Sequence, residues 1–211
     1  MTIVEVETPH GPAHVHLHSV EEPAAALVLG HGAGGGVASR DLVAASDAAL
    51  SEGISVALVE QPYLVAGRRS PAPARQLEAA WTTVVDHLRE HDLRGLPLIV
   101  GGRSLGARVA CRTVQGTGAV AVLCLAFPLL PPGRKGSAPP QSRLPELDAV
   151  KVPMLVVQGA RDRFGIPPPS RRRTVTEVAG DHSLRTDPDA VREAVRAWLP
   201  GVVGSRVADV S

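Results

Sequence analysis

Short, almost wholly apolar runs recur along the chain, separated by stretches in which apolar residues return every three or four positions. The apolar runs cover residues 24–29, 54–59, 96–100, 119–126 and 154–158, and an alternating run covers 174–178. Continuous apolar runs of this length are typical of strands buried on both faces of a parallel sheet. The pattern therefore predicts a sheet whose interior strands are covered on both sides.

Helical periodicity fills most of the intervals between these runs. It predicts helices at about 39–50 and 76–90, a helix that starts at Leu105, and a last helix over 188–199. The first residues alternate instead, over 2–7 and 13–18, which is typical of an antiparallel hairpin at a sheet edge. Strands alternating with helices predict an α/β protein with a mostly parallel, doubly wound sheet and helices on both faces.

Composition narrows the range of functions. The 211 residues fit a single domain, with 201–211 expected as a loose tail, and the formal net charge of +1 gives no basic footprint for nucleic acid or an anionic membrane. Neither a leader nor a membrane-length apolar stretch is evident, and the two cysteines fall within regular elements, so a cytoplasmic protein is expected. Three histidines on one predicted strand face (His14, His16 and His18) are expected to face solvent, and no metal is predicted.

The sequence Gly102-x-Ser104-x-Gly106 stands between a predicted buried strand and a predicted helix. A serine at such a sharp turn adopts strained backbone angles, and the flanking glycines leave room where strand and helix crowd together. The hydroxyl is then exposed beside the unpaired amides of a helix start. This context predicts that Ser104 is a nucleophile.

Two further residues follow predicted strands and complete the requirements of a nucleophilic serine. His182 lies in a glycine-containing turn and is the natural base, and Asp162 is the best candidate to orient it. Asp181 is adjacent to His182 in sequence, which is poor geometry for contacting the same ring, and Asp148 precedes its strand at the other end of the sheet. Ligands of such sheets bind beyond the carboxyl ends of the strands, where Ser104, Asp162 and His182 are expected to meet.

A glycine-rich loop offers a competing interpretation. Gly30, Gly32 and Gly35 form G-x-G-x-x-G between a strand and a helix, and Glu60 ends the next strand. This is the form of a dinucleotide-binding fingerprint, so an oxidoreductase is the first alternative. That alternative leaves Ser104, Asp162 and His182 without a role. A non-catalytic interaction module that keeps the same fold is the second alternative.

The order Ser104, Asp162, His182, with the His31-Gly32-Ala33-Gly34 and Gly159-Ala160-Arg161-Asp162 segments, resembles the alpha/beta-hydrolase superfamily. The chain looks like the small dienelactone-hydrolase-like group of predicted hydrolases, which includes domains of a testis-expressed protein and of a chromatin acetyltransferase complex subunit. Unlike dienelactone hydrolase itself, this chain has a serine as the nucleophile. The resemblance implies an alpha/beta-hydrolase fold and an oxyanion hole built from the amides of Ala33 and Leu105.

The predicted activity is therefore hydrolysis of an ester or related acyl compound through an acyl-enzyme, without a cofactor. The expected partner is a small acyl substrate. The proline-rich connection 129–150 is too short to form a helical cap and is expected to contain no regular element. An open cleft walled by it and by residues 65–74 would favour short or polar acyl groups, with Arg68 and Arg69 as candidate substrate-binding residues.

Overall fold

A computed structural model describes residues 1–131 and 141–204. One sheet holds eight strands in the order β1-β2-β4-β3-β5-β6-β7-β8. The strands are β1 (Thr2–Val6), β2 (Ala13–His18), β3 (Ala25–Gly30), β4 (Ile54–Glu60), β5 (Leu98–Arg103), β6 (Ala121–Leu125), β7 (Met154–Gly159) and β8 (Arg173–Val178). Strand β2 pairs antiparallel with β1 and β4, and every other pairing is parallel. The predicted mostly parallel sheet with an edge hairpin is confirmed.

Helices cover both faces of this sheet. They are α1 (Arg40–Ser51), α2 (Pro62–Val65), α3 (Ala74–Glu90), α4 (Leu105–Thr117), α5 (Leu144–Asp148) and α6 (Pro188–Val203). Helices α3 and α4 pack together on one face, around the fully buried Trp81. Helices α1 and α6 pack together on the other face, which they fill with alanine, valine and leucine. Strands β3, β5 and β6 are sandwiched between these layers, which is why their sequences are apolar except for Arg103 at the end of β5.

The connection between β6 and β7 departs from expectation. The sequence predicts no regular element in 129–150, but α5 forms a short helix there. Proline is tolerated in a first helical turn, where Pro145 lies, and the helix is fixed by the buried Leu147 and an ion pair between Glu146 and Arg108. Residues 132–140 lie outside the described part of the chain. Within the described part of this connection, α5 is the only helix.

The carboxyl end of the chain also differs from expectation. Helix α6 continues to Val203, so the expected tail does not begin at residue 201, and residues 205–211 lie outside the described part. Val202 is buried against the α1 side of the sheet, which explains the additional helical turn. In residues 1–131 and 141–204, no helix combines the length and the apolar character needed to cross a bilayer.

Candidate active site

The turn from β5 into α4 holds Ser104 in a strained conformation. Its backbone has φ 51° and ψ −101°, and its amide donates to the Leu125 carbonyl at 2.8 Å. A Cβ on Gly106 would lie 2.3 Å from the Gly30 carbonyl oxygen, and one on Gly102 would lie 2.4 Å from the same atom. Both glycines are therefore required for the close approach of β3, β5 and α4, which presents Ser104 at the edge of the sheet.

The structure brings Ser104, His182 and Asp162 within hydrogen-bond distance. His182 Nε2 lies 2.9 Å from Ser104 Oγ, and His182 Nδ1 lies 2.7 Å from Asp162 Oδ2. An ionised carboxylate only accepts, so Nδ1–H donates to Asp162 and the Nε2 lone pair faces the Ser104 hydroxyl. The Asp162 side chain is wholly buried, whereas that of His182 is 19% exposed.

Asp162 is held by three donors from different groups. Besides His182, the Gln158 side-chain amide donates to Oδ2 at 2.7 Å and the Phe164 backbone amide donates to Oδ1 at 2.9 Å. Gln158 is fully buried at the end of β7, where its amide nitrogen also lies 3.0 Å from the Phe127 carbonyl oxygen. The sequence analysis did not identify Gln158, although a glutamine that closes an otherwise apolar strand run is a signal for it.

The two alternative carboxylates lie elsewhere. Asp181 is exposed, and its Oδ1 accepts from the Ser183 amide at 2.9 Å and the Ser183 hydroxyl at 2.6 Å. These bonds lower the pKa of Asp181. Asp148 pairs with Arg173 at 3.0 Å, at the amino end of β8 and so at the opposite end of the sheet. The carboxylate that reaches the imidazole of His182 is thus that of Asp162.

The glycine-rich loop after β3 is anchored by a buried histidine. His31 Nε2 accepts from the Gln61 amide at 3.1 Å, so the ring proton is on Nδ1, which donates to the Gly32 carbonyl at 2.8 Å. Burial lowers the pKa of His31, in agreement with the acceptor role of Nε2. Ala33 and Leu105 both line the cleft at Ser104, and within the described residues neither amide donates to a protein acceptor.

Arg103, directly before Ser104, ties three segments together. Its Nε lies 2.9 Å from Asp41 Oδ2 on α1, and its Nη2 donates to the His182 carbonyl at 3.2 Å. The side chain of Asp41 is 1% exposed, and neither of its oxygens has a well-aligned hydrogen bond among the described residues. The attraction is therefore chiefly between charges. No pattern in the sequence pointed to this pair.

The cleft above Ser104 has a volume of about 370 Å³. It is lined by Ala33, Gly34, Arg103, Ser104, Leu105, Arg108, Pro128, Arg143, Arg163, Phe164 and His182. Arg68 instead lines a separate hollow of about 40 Å³ beside Gln61 and Tyr63, and Arg69 is exposed and lines neither. In the structure Arg68 and Arg69 are therefore not among the residues that line the cleft at Ser104.

The strand histidines are half-buried rather than freely exposed. His14 lies 3.2 Å from Glu5, and His16 lies 3.3 Å from Glu60, the residue that a dinucleotide-binding protein would direct toward a ribose. In the part of the chain that the structure describes, no group of three or more histidine, cysteine or acidic side chains is arranged to hold a metal ion. Contacts with carboxylates on the two neighbouring strands, β1 and β4, explain why His14 and His16 do not simply face solvent.

In α/β hydrolases a serine at a strand-to-helix turn is hydrogen-bonded to a histidine, and that histidine is hydrogen-bonded in turn to an aspartate, both from later loops at the same sheet edge. A family model described as an alpha/beta hydrolase domain matches residues 23–192, and the chain belongs to this family. No curated protein sequence shows significant similarity to the chain.

Solved structures share the fold at low sequence identity. XC6422 from Xanthomonas campestris, described as an α/β serine hydrolase without a lid, has a TM-score of 0.72 at 19% identity, over 94% of this chain and 95% of that chain. Est1E from Butyrivibrio proteoclasticus has a TM-score of 0.78 at 13% identity, over 97% and 100%. A dienelactone hydrolase from Anabaena variabilis has a TM-score of 0.72 at 16% identity, over 95% and 97%. The predicted fold class and the resemblance to this group are confirmed.

Proposed function

We propose that this protein is a serine hydrolase that cleaves a carboxylic ester or a related acyl compound. The observation that carries the proposal is the chain of short hydrogen bonds from Ser104 through His182 to Asp162. Membership of the alpha/beta hydrolase family supports hydrolysis over the dinucleotide-dependent alternative. In a hydrolase the glycine-rich loop would supply an amide to the oxyanion rather than bind a pyrophosphate.

In the proposed reaction, His182 Nε2 removes the Ser104 proton as Oγ attacks the carbonyl carbon of the substrate. The tetrahedral intermediate collapses when His182 returns that proton to the leaving alcohol, which leaves an acyl-enzyme on Ser104. Water then attacks the acyl carbon with His182 again acting as base, and the carboxylic acid departs as Ser104 regains its proton. All the proton transfers use one imidazole nitrogen, which the structure places 2.9 Å from the nucleophile.

Asp162 has an orienting role in this reaction. Its carboxylate fixes the tautomer in which Nδ1 carries the proton and stabilises the imidazolium that forms during attack. Gln158 and the Phe164 amide hold the carboxylate in place, so it accepts from three directions without solvent contact. A positioned base of this kind accounts for a large part of the rate, commonly about 10²- to 10⁴-fold.

The amides of Ala33 and Leu105 are the proposed donors to the oxyanion. Neither amide donates to an acceptor in the part of the chain that the structure describes, which supports this role, because an oxyanion hole needs amides that are unoccupied before substrate binds. Each such donor is commonly worth about 3 kcal/mol in the transition state. His31 and Tyr63, which hold the carbonyls of Gly32 and Ala33, would keep the Ala33 amide in position.

A fluorophosphonate probe tests the proposal directly. The wild-type protein should be labelled covalently at Ser104 and should hydrolyse p-nitrophenyl acetate, whereas Ser104→Ala should do neither while melting at the wild-type temperature. Ser51→Ala, which removes a hydroxyl at the far end of α1, is the matched control. Retention of more than a tenth of the wild-type rate by Ser104→Ala would contradict the proposal. Folded protein that neither reacts nor hydrolyses would favour the non-catalytic module.

The size of the cleft leads us to propose small acyl groups. A cleft of about 370 Å³ lies at the small end of the usual range for ligand sites. Among the described residues between β6 and β7, α5 is the only helix that could cover it. Each additional buried methylene contributes about 0.8 kcal/mol only while there is apolar wall to cover it. In a series of p-nitrophenyl esters from acetate to laurate, kcat/KM should therefore peak at short chains. A steady rise to laurate would indicate a long apolar tunnel instead.

A further inference from the structure

The wall of the Ser104 cleft is strongly cationic. Four of its eleven lining residues are arginines (Arg103, Arg108, Arg143 and Arg163), and none is acidic. Arg103 is paired with Asp41, and Arg108 makes a two-point contact with Glu146 at 3.0 and 2.6 Å. Those two charges are neutralised by carboxylates that do not line the cleft, whereas Arg143 and Arg163 remain to be explained.

Arg143 is half-buried and has no carboxylate within 4 Å in the described residues. Its Nη1 donates to the Pro128 carbonyl at 3.0 Å, which fixes the guanidinium at the wall of the cleft, and among residues 1–131 and 141–204 this is the only protein acceptor of its five N–H groups. Burial, and then the nearby charge of Arg108, lower the pKa of Arg143. Partial desolvation beside a like charge is a cost that an anionic ligand would offset.

Arg163 is exposed at the rim, and it too has no carboxylate within 4 Å in the described residues. Its guanidinium lies over the Phe164 ring, 4.8 Å from the centroid, and Phe164 contacts the His182 ring edge-on with the centroids 4.5 Å apart. One aromatic ring thus separates this cation from the proposed base. Stacking on Phe164 restricts the side chain, which reduces the entropy lost when a ligand binds.

We propose that Arg143 and Arg163 bind an anionic group of the substrate, one with at least two acceptor oxygens such as a carboxylate or a phosphate. This inference rests on the proposed hydrolase function and specifies its substrate class as anionic acyl compounds. A guanidinium group can donate two parallel hydrogen bonds to such an anion, and a neutral ester lacks the charge that makes those bonds strong. The cleft volume limits the compound to a short spacer between the anion and the scissile carbonyl.

The test compares two esters that differ in one charge: p-nitrophenyl hydrogen succinate and its methyl ester. The wild-type protein should prefer the anionic ester by about tenfold or more in kcat/KM, and the preference should shrink as salt is added. Arg143→Gln and Arg163→Gln should each reduce this preference by about five- to tenfold, through a larger loss on the anionic ester than on the neutral one. Arg171→Gln, which removes an exposed charge near β8, controls for the net charge of the protein.

The outcomes separate this inference from the function on which it rests. If neither ester is hydrolysed and the fluorophosphonate probe does not react, the hydrolase function itself fails. Hydrolysis of the methyl ester with no preference for the anionic one, or a preference that survives both substitutions, would overturn the anion site alone. Inhibition of methyl ester hydrolysis distinguishes the sources of the anion: succinate inhibits at a carboxylate site and inorganic phosphate at a phosphate site. Should Arg143→Gln fail to fold, the exposed Arg163 still provides the test.

Discussion

Replacement of Arg103 by methionine should destabilise the protein, although the Arg103 side chain is 19% exposed to solvent. The expected loss is far larger than that for a typical partly exposed residue. Methionine keeps the length of the side chain but removes the cation that faces Asp41 and the donor to the His182 carbonyl. Asp41 would remain as an uncompensated carboxylate with a side chain only 1% exposed. The consequence is a cost in folding free energy as well as a displaced loop around His182.

The expected loss follows from the geometry of the pair. Two unit charges 2.9 Å apart attract by about 6 kcal/mol at an effective dielectric constant near 20, before any desolvation is considered. Removal of one partner from a buried pair typically costs about 3–5 kcal/mol, because the other charge is left in the interior. We therefore expect Arg103→Met to lower the free energy of unfolding by about 4 kcal/mol, and the melting temperature by about 8–16 °C.

Urea unfolding of the wild-type protein and two variants measures this cost and its cause. Arg103→Met should be the least stable, whereas Arg103→Met combined with Asp41→Leu should recover at least half of the loss, because no buried charge remains. The double variant should still hydrolyse esters more slowly, by about tenfold, since the His182 loop lacks its donor. A loss below about 1 kcal/mol for Arg103→Met, or a double variant no more stable than the single one, would refute the reasoning.

Three other changes have defined outcomes. Asp162→Asn should lower kcat by about 10²-fold or more, because an amide can stabilise the wrong tautomer of His182. Asp181→Asn should lower kcat by less than about threefold. The reverse ranking in an ester assay would assign the orienting role to Asp181. Gly106→Ala should lower the free energy of unfolding by about 2 kcal/mol or more in urea titrations, since its Cβ would lie 2.3 Å from a carbonyl oxygen of β3. Gly116→Ala on the same helix, where a Cβ would meet open space, should leave the free energy of unfolding unchanged or raise it. Burial lowers the pKa of His31, so its contribution to stability is complete above its unfolded pKa of about 6.5 and is lost as the pH falls below that value. His31→Gln should therefore show a shallower dependence of unfolding free energy between pH 7 and pH 5, and an unchanged slope would argue against this contribution.

The fold could be predicted because its determinants are local in sequence. The buried part of strand β5 is apolar because both of its faces are covered. The turn into α4 can be predicted because only glycine fits two residues before and two residues after Ser104. Ser104, Asp162 and His182 follow three different strands. The parallel direction of those strands brings them to one edge, where the structure places them in contact.

Contacts between distant segments could not be predicted in the same way. In the sequence, Asp41 looks like an ordinary acidic residue in the first turn of a helix, and its burial depends on Arg103 from another element. The sequence pointed to Arg68 and Arg69 because the loop that carries them is basic, whereas the arginines that line the cleft at Ser104 include Arg143 and Arg163. A basic pattern alone does not show which loop lies beside the serine.

The separation of 78 positions between Ser104 and His182 has a consequence for folding. We expect the turn at Ser104 to be complete once β3, β5 and β6 have paired, and His182 to arrive only after β7 and β8 have added to the sheet. Closing so long a loop is slow compared with forming helices and hairpins, and the last strands to add are also the first to open. Reaction of Ser104 with an active-site probe during refolding would therefore time the arrival of the final strands, independently of the helical signal.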